Sequence, residues 1–176
     1  MKLFGRRPKL PAGLRPELDR DERVLAWAAV GTGDAEAALV ATNRGLWVPE
    51  RGRLGWHEIH KVAWSGRELR VIPAEVAEVR EHYAVLVDEP PVLFLLLEPG
   101  ELPDQVRTRV TRSVAYTSHH PMPQGGVRVV GRRVSGVDGL SWAVRYDSGT
   151  PVDAEPVISL TEELVLAAQN ASAPPL

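Results

Sequence analysis

Leu102-Pro103-Asp104-Gln105-Val106-Arg107-Thr108-Arg109-Val110-Thr111-Arg112-Ser113-Val114-Ala115-Tyr116 decides how the rest of the chain is read. Its apolar residues Leu102, Val106, Val110 and Val114 fall four apart, which is one stripe of an α-helix, and Arg107, Arg109 and Arg112 lie off that stripe. Pro99 and Pro103 mark the start. Pro121 disfavours helical backbone at His120, and Gly125-Gly126 prolong the break, so the helix is predicted over Leu102 to Tyr116 with a boundary near residue 120.

On the N-terminal side of this helix the pattern belongs to strands. Val24-Leu25-Ala26-Trp27-Ala28-Ala29-Val30 is a β-branched and aromatic run ended by Gly31-Thr32-Gly33-Asp34. Ala37 to Ala41 and Leu46-Trp47-Val48 flank Thr42-Asn43-Arg44-Gly45, a tight turn in which Asn and Gly tolerate positive φ. Arg53 to Trp64 reads as a half-buried strand with one irregularity near Glu58. Leu69 to Ile72 stops at Pro73, His82 to Val87 stops at Asp88, and Val92 to Leu97 is a continuous apolar run. Turn formers recurring at such intervals predict a meander of about seven strands.

On the C-terminal side, Val127 to Val137 and Leu140 to Tyr146 are joined through Asp138-Gly139, a strong hairpin signal. Ser159-Leu160-Thr161-Glu162 fits a capping box, and Leu160, Leu164, Ala167 and Ala168 give a final short helix one apolar face. A lone hairpin and helix cannot bury a core, so residues 125–170 are expected to pack on the main unit, residues 17–120. Pro8, Pro11 and Pro16 make residues 1–16 a flexible arm, and residues 171–176 are expected to be a disordered tail. The fold class is therefore α+β and mainly β.

Composition narrows the function classes. Cysteine is absent, which removes disulfides, thiolate zinc sites and a cysteine nucleophile, and fits a reducing cytoplasm. No apolar stretch behind the basic start is long enough for a signal-peptide core, and the longest apolar run, Pro90 to Leu97, is far short of the roughly 20 residues of a membrane-spanning helix. The net charge of −2 argues against a nucleic-acid partner, which needs a basic surplus. Arginine supplies 18 of the 21 basic residues, a bias expected of a GC-rich bacterial genome. The two ends differ in sign: Lys2, Arg6, Arg7, Lys9 and Arg15 open the chain, and Asp147, Asp153, Glu155, Glu162 and Glu163 close it.

About seven strands followed by one amphipathic helix is the element order of pleckstrin-homology folds. Asp21-Glu22-Arg23-Val24-Leu25, Ala38 to Val48 around Thr42-Asn43, and Trp56-His57-Glu58-Ile59-His60-Lys61-Val62 resemble the bacterial PH-like family over roughly residues 17–118. The resemblance implies a seven-stranded antiparallel barrel or sandwich capped by one helix, serving as a scaffold for protein or lipid contact. The turn from Gly31 to Glu36 carries Asp34 and Glu36 in place of the basic cluster that phosphoinositide-binding PH domains use, which counts against inositol phosphates.

No catalytic, cofactor or metal site is predicted. His57 and His60, three apart on the expected strand, face opposite ways, and the spacing is not that of zinc peptidases. His119-His120 falls in the Pro-rich break, with only Ser113 and Ser118 near in sequence as candidate nucleophiles. The Gly-rich turns open no helix and lack a following Lys-Ser/Thr. The leading expectation is a non-enzymatic interaction module that binds a protein through a sheet edge, a turn rim or the face of Arg107, Arg109 and Arg112. The alternatives are weak anionic-membrane contact through Lys2, Phe4, Arg6, Arg7 and Lys9, or a small metal-dependent enzyme using His57, His60, His119 or His120.

Overall fold

A computed structural model describes residues 8–31 and 36–174. Among them the chain forms the strands β1 Val24–Val30, β2 Ala37–Thr42, β3 Gly45–Val48, β4 Gly52–Gly55, β5 Ile59–Trp64, β6 Glu68–Val79, β7 Ala84–Asp88, β8 Val92–Leu95, β9 Val114–Pro121, β10 Gly126–Arg133 and β11 Leu140–Tyr146. Two helices, α1 Leu102–Ser113 and α2 Glu155–Ser172, complete an α+β, mainly β fold. No helix among the described residues is long and apolar enough to cross a membrane.

β1 to β4 form an antiparallel meander, and a second sheet runs in the order β5-β6-β7-β11-β10-β9 with β8 on β6. β7 and β11 are parallel, Ala84 opposite Ala143, so this sheet is mixed where an antiparallel one was expected; it curls into a half-barrel. The first half of β6 pairs with β5 and β8 and its second half with β7. Pro73, expected to end this strand, sits inside it. The β8 ladder ends at Val71 and the β7 ladder starts at Ala74, so the residue without an N–H stands where the partner changes. Its carbonyl accepts the Glu89 N–H at 3.0 Å.

Two cores follow from this arrangement. Leu39, Leu46, Ile59, Leu69 and Val71 of the strands are closed over by Leu102, Val106 and Val110, the stripe read from the sequence. Fully burying each such side chain contributes about 1.5–3 kcal/mol. Behind the half-barrel, Val85, Val127, Val129 and Val144 meet Val165 and Ala168 of α2. Trp142 lies over Gly131, where a Cβ would come within 3.0 Å of its ring.

Several elements depart from the sequence reading. α1 stops at Ser113, whose Oγ donates to Val110 O at 2.7 Å, and the residues after it pair with β10 as β9. Val114, Tyr116 and Thr117 suit a strand, and pairing outweighs the fourth apolar position of the stripe. The Met122–Gly125 turn joins β9 to β10, with Met122 N donating to Gly125 O. The strand expected from Arg53 to Trp64 is β4, a 3-10 turn Trp56–Glu58, and β5, the Glu58 carboxylate accepting the Gly55 N–H at 2.6 Å. α2 begins after Ala154 without a side-chain cap, four residues before the expected capping box, and extends to Ser172, inside the expected tail. Of the basic arm, Lys2, Phe4, Arg6 and Arg7 lie outside the described residues. Trp27 Nε1 of β1 donates to Pro8 O at 3.1 Å, and Lys9 is exposed.

A buried carboxylate ties the first sheet together. The Glu22 side chain, 0% exposed, accepts hydrogen bonds from Thr42 Oγ (2.6 Å), Trp47 Nε1 (2.9 Å), Arg53 Nη1 (2.6 Å) and the Asp19 N–H (3.2 Å). Asn43 completes the clamp: its Oδ1 accepts the Arg23 N–H and its Nδ2 donates to Asp21 O. Burial pushes the Glu22 carboxyl up, but Thr42, Trp47, Asp19 and the Arg53 charge outweigh it and hold the group below its usual value. Its contribution is therefore present above the unfolded value of about 4.3 and is lost as pH falls through the lower folded value. Glu22→Gln is expected to lower stability by about 2–3 kcal/mol, read as a lower urea midpoint at unchanged slope. Arg51→Ala, which removes an exposed pair with Glu89, is expected to cost under about 1 kcal/mol.

Candidate functional site

The face of the half-barrel turned away from α2 encloses a cavity of about 400 Å³. Alternation in β10 and β11 decides what lines it. Val127 and Val129 pack toward α2, so Arg128, Val130 and Arg132 face the cavity; Val144 does the same in β11, leaving Ser141, Ala143 and Arg145. Ala74 and Val76 of β6 and Ala84 and Leu86 of β7 supply an apolar wall, and His57, Glu58 and His60 overhang it from the 3-10 turn and β5.

Arg132 closes the curl. Its Nη1 lies 3.0 Å from Ile59 O, 3.0 Å from Ser113 Oγ and 3.4 Å from Trp56 O, joining β10 to the 3-10 turn, β5 and the end of α1. Arg145 Nη1 donates to Asp88 Oδ1. His60 Nδ1 sits 2.7 Å from the same oxygen. Arg128 has one long contact, 3.5 Å to Thr117 Oγ. The remaining guanidinium nitrogens of all three arginines have no hydrogen-bond partner among the described residues.

Burial lowers the Arg132 pKa, helped by repulsion from Arg145, and burial lowers that of Arg145 against the pull of Asp88; both stay cationic. Burial pushes His57 down against the pull of Glu58, with help from Arg132, and burial and Arg145 push His60 down against the pull of Asp88, so both take up protons less readily than a free imidazole. The cavity lining thus holds three cations and one carboxylate, Glu58, and Asp88 pairs with Arg145 from outside the lining.

His57 and His60 come together in one cavity, contrary to the expectation of opposite faces. His57 is on a 3-10 turn, where the strand period does not apply. His119 and His120 lie on β9 and not in a loop; His119 Nε2 is 2.7 Å from Asp147 Oδ2, and neither histidine lines the cavity. Arg107 and Arg112 are exposed on α1, and Arg109 is half-buried with its Nε buried and unpartnered among the described residues. At about 100° per residue Arg107 points about 140° away from Arg112, so the three make no single face. Glu81, His82 and Glu162 form a further cluster at the surface, with His82 Nε2 3.5 Å from Glu162 Oε1.

The sequence reading passed over Arg128, Arg132, Arg145, Glu58 and Asp88. A signal for the arginines was present: Arg128-x-Val130-x-Arg132 and Ser141-x-Ala143-x-Arg145 put cations on one face of a recognised hairpin. Compared with known proteins, the chain matches no family model, no curated protein and no solved structure.

Because the folded imidazoles take up protons less readily than the unfolded ones, whose value is about 6.5, stability is expected to be full above that pH and to fall below it. The double variant His57→Gln/His60→Gln is expected to lose less stability between pH 7.5 and 5.5 than the parent, measured by urea midpoints at each pH. Equal losses would remove these histidines from the effect.

Proposed function

We propose that this chain is a non-enzymatic binding module that holds a small anion in the cavity of the half-barrel. The observation that carries this reading is the convergence of Arg128, Arg132 and Arg145 on one cavity, with most of their donors unused and only two carboxylates against them. Gathering cations in a partly dry site is unfavourable until a counter-charge arrives, and guanidinium groups match carboxylate and phosphate oxygens. The volume is within the range of about 300–1,000 Å³ typical of small-molecule sites.

Binding is favoured over catalysis because the hydroxyls of the lining, on Thr117 and Ser141, hydrogen-bond to neither imidazole. The PH-like reading is retained as a proposal for residues 17–118, supported by the succession of β1 to β5, the first half of β6 and β8 ahead of α1, with β7 set aside. In that reading the extension of β6, together with β7, β9 to β11 and α2, is an addition that creates the cavity. Recognition of a protein partner through Arg107, Arg109 and Arg112 has less support, since they share no face.

Inorganic phosphate or sulfate at low ionic strength is expected to raise the melting temperature and to lose its effect as salt is raised. Arg128→Gln, which breaks only the long Thr117 contact, is expected to weaken phosphate binding roughly tenfold in calorimetry with an unchanged melting temperature without ligand. Absence of any anion effect on the parent chain would overturn the proposal.

A further inference from the structure

The cavity is not uniformly charged, and the register of the sheet shows how its two characters are divided. Arg128 of β10 is opposite Arg145 of β11, and Val76 of β6 is opposite Leu86 of β7. β7 and β11 run parallel with Ala84 level with Ala143 and Val85 with Val144, so Leu86 is level with Arg145. One row across the sheet therefore reads Val76, Leu86, Arg145, Arg128, apolar on two strands and cationic on the next two. The row beside it, Ala84, Ala143 and Val130, is apolar across β7, β11 and β10. Val76 is 52% exposed, an uncovered apolar side chain on the wall of a site whose other end collects charge.

Three guanidinium cations face one carboxylate of the lining, Glu58, and Asp88 supplies a second from its edge through Arg145, so a carboxylate head taking the place of Asp88 on Arg145 exchanges one negative charge for another, which calls for a monoanion. Asp88 is itself a carboxylate seated on Arg145, at the edge of the apolar wall and half exposed at 45%. It occupies the position that the head of a bound carboxylate would take.

We infer that the ligand is an amphipathic monoanion, a carboxylate on an aliphatic body, whose head displaces Asp88 from Arg145 and whose body lies along Leu86, Ala84 and Val76. This rests on the anion-binding reading above and narrows it. The two strand spacings from β11 to β6, about 9.5 Å, set the reach of the body, which is that of a medium-length acyl chain. Hydrophobic transfer makes each methylene buried against the wall worth about fourfold in affinity. The displaced Asp88 is close to solvent and moves to water without being stranded in the interior.

Calorimetry on the full chain at pH 7.5 tests this with octanoate below its micelle threshold, acetate, octanol, octylammonium and inorganic phosphate. Octanoate is expected to bind at least tenfold more tightly than acetate or phosphate, with octanol weaker and octylammonium silent. Val76→Ser, at a half-exposed position, is expected to weaken octanoate severalfold while leaving phosphate unchanged. Asp88→Asn is expected to tighten octanoate severalfold by removing its internal competitor. If phosphate or acetate binds as well as octanoate, the amphipathic inference falls and the anion site stands. Octanol binding equal to octanoate overturns the role of the head, and a weaker Asp88→Asn complex with unchanged melting temperature overturns the displacement. If no anion binds, both readings fall together.

Discussion

Strand β6 hydrogen-bonds to β5 and β8 along its first half and to β7 along its second, so one continuous backbone satisfies two sets of neighbours. A strand can do this only where its ladder changes partner cleanly, and Pro73 marks that position by offering no donor. Everything beyond it follows. The second half of β6 carries β7 away from α1, the parallel pairing of β7 with β11 brings in the C-terminal hairpin, and the curl returns to the first half of the molecule at Arg132. The cavity is the space left between the strand's departure and that return.

The first sheet relies on a different device. Glu22, Thr42, Trp47, Arg53 and the Asp19 N–H form a polar network around a buried carboxylate in which every lone pair faces a donor. Such a network adds little net stability over an apolar packing of equal volume, but removing one member leaves the others uncompensated. It therefore specifies geometry more than it stabilises. Gly45 is part of the same constraint: a Cβ there would collide with the Leu54 carbonyl across the β3 and β4 pair. The residues that carry the resemblance to PH-like domains, Glu22, Thr42-Asn43 and Trp56 to Glu58, are all members of this clamp or of the turn that follows it. They are legible because they build a shape, and for that reason they say little about a ligand.

The same distinction explains what could be read from the sequence. The runs Val24 to Val30, Ala37 to Ala41 and Leu140 to Tyr146 appear as strands because each carries its own turn signal or apolar pattern. The stripe Leu102, Val106, Val110 gives α1 for the same local reason. Val114 to Pro121 was not legible as a strand, since its partner β10 is what makes it one, and the second half of β6 was hidden behind a proline that only the switch of neighbours tolerates. The cavity is harder still. The hairpin pairs Arg128 with Arg145, but only the parallel join of β7 to β11 brings them beside His60 and Asp88, which are far away in the chain.

The two-residue period of β10 and β11 separates two kinds of inheritance. Val127, Val129 and Val144 answer to α2, while Arg128, Val130, Arg132, Ala143 and Arg145 answer to the cavity. A codon change at one of the second set leaves the packing against the helix untouched, apart from Arg132, which also holds the curl closed. A lineage built on this ribbon can therefore diversify what it recognises while keeping the same scaffold. Descendants would share their odd-numbered valines in β10 and differ at the alternate positions between them.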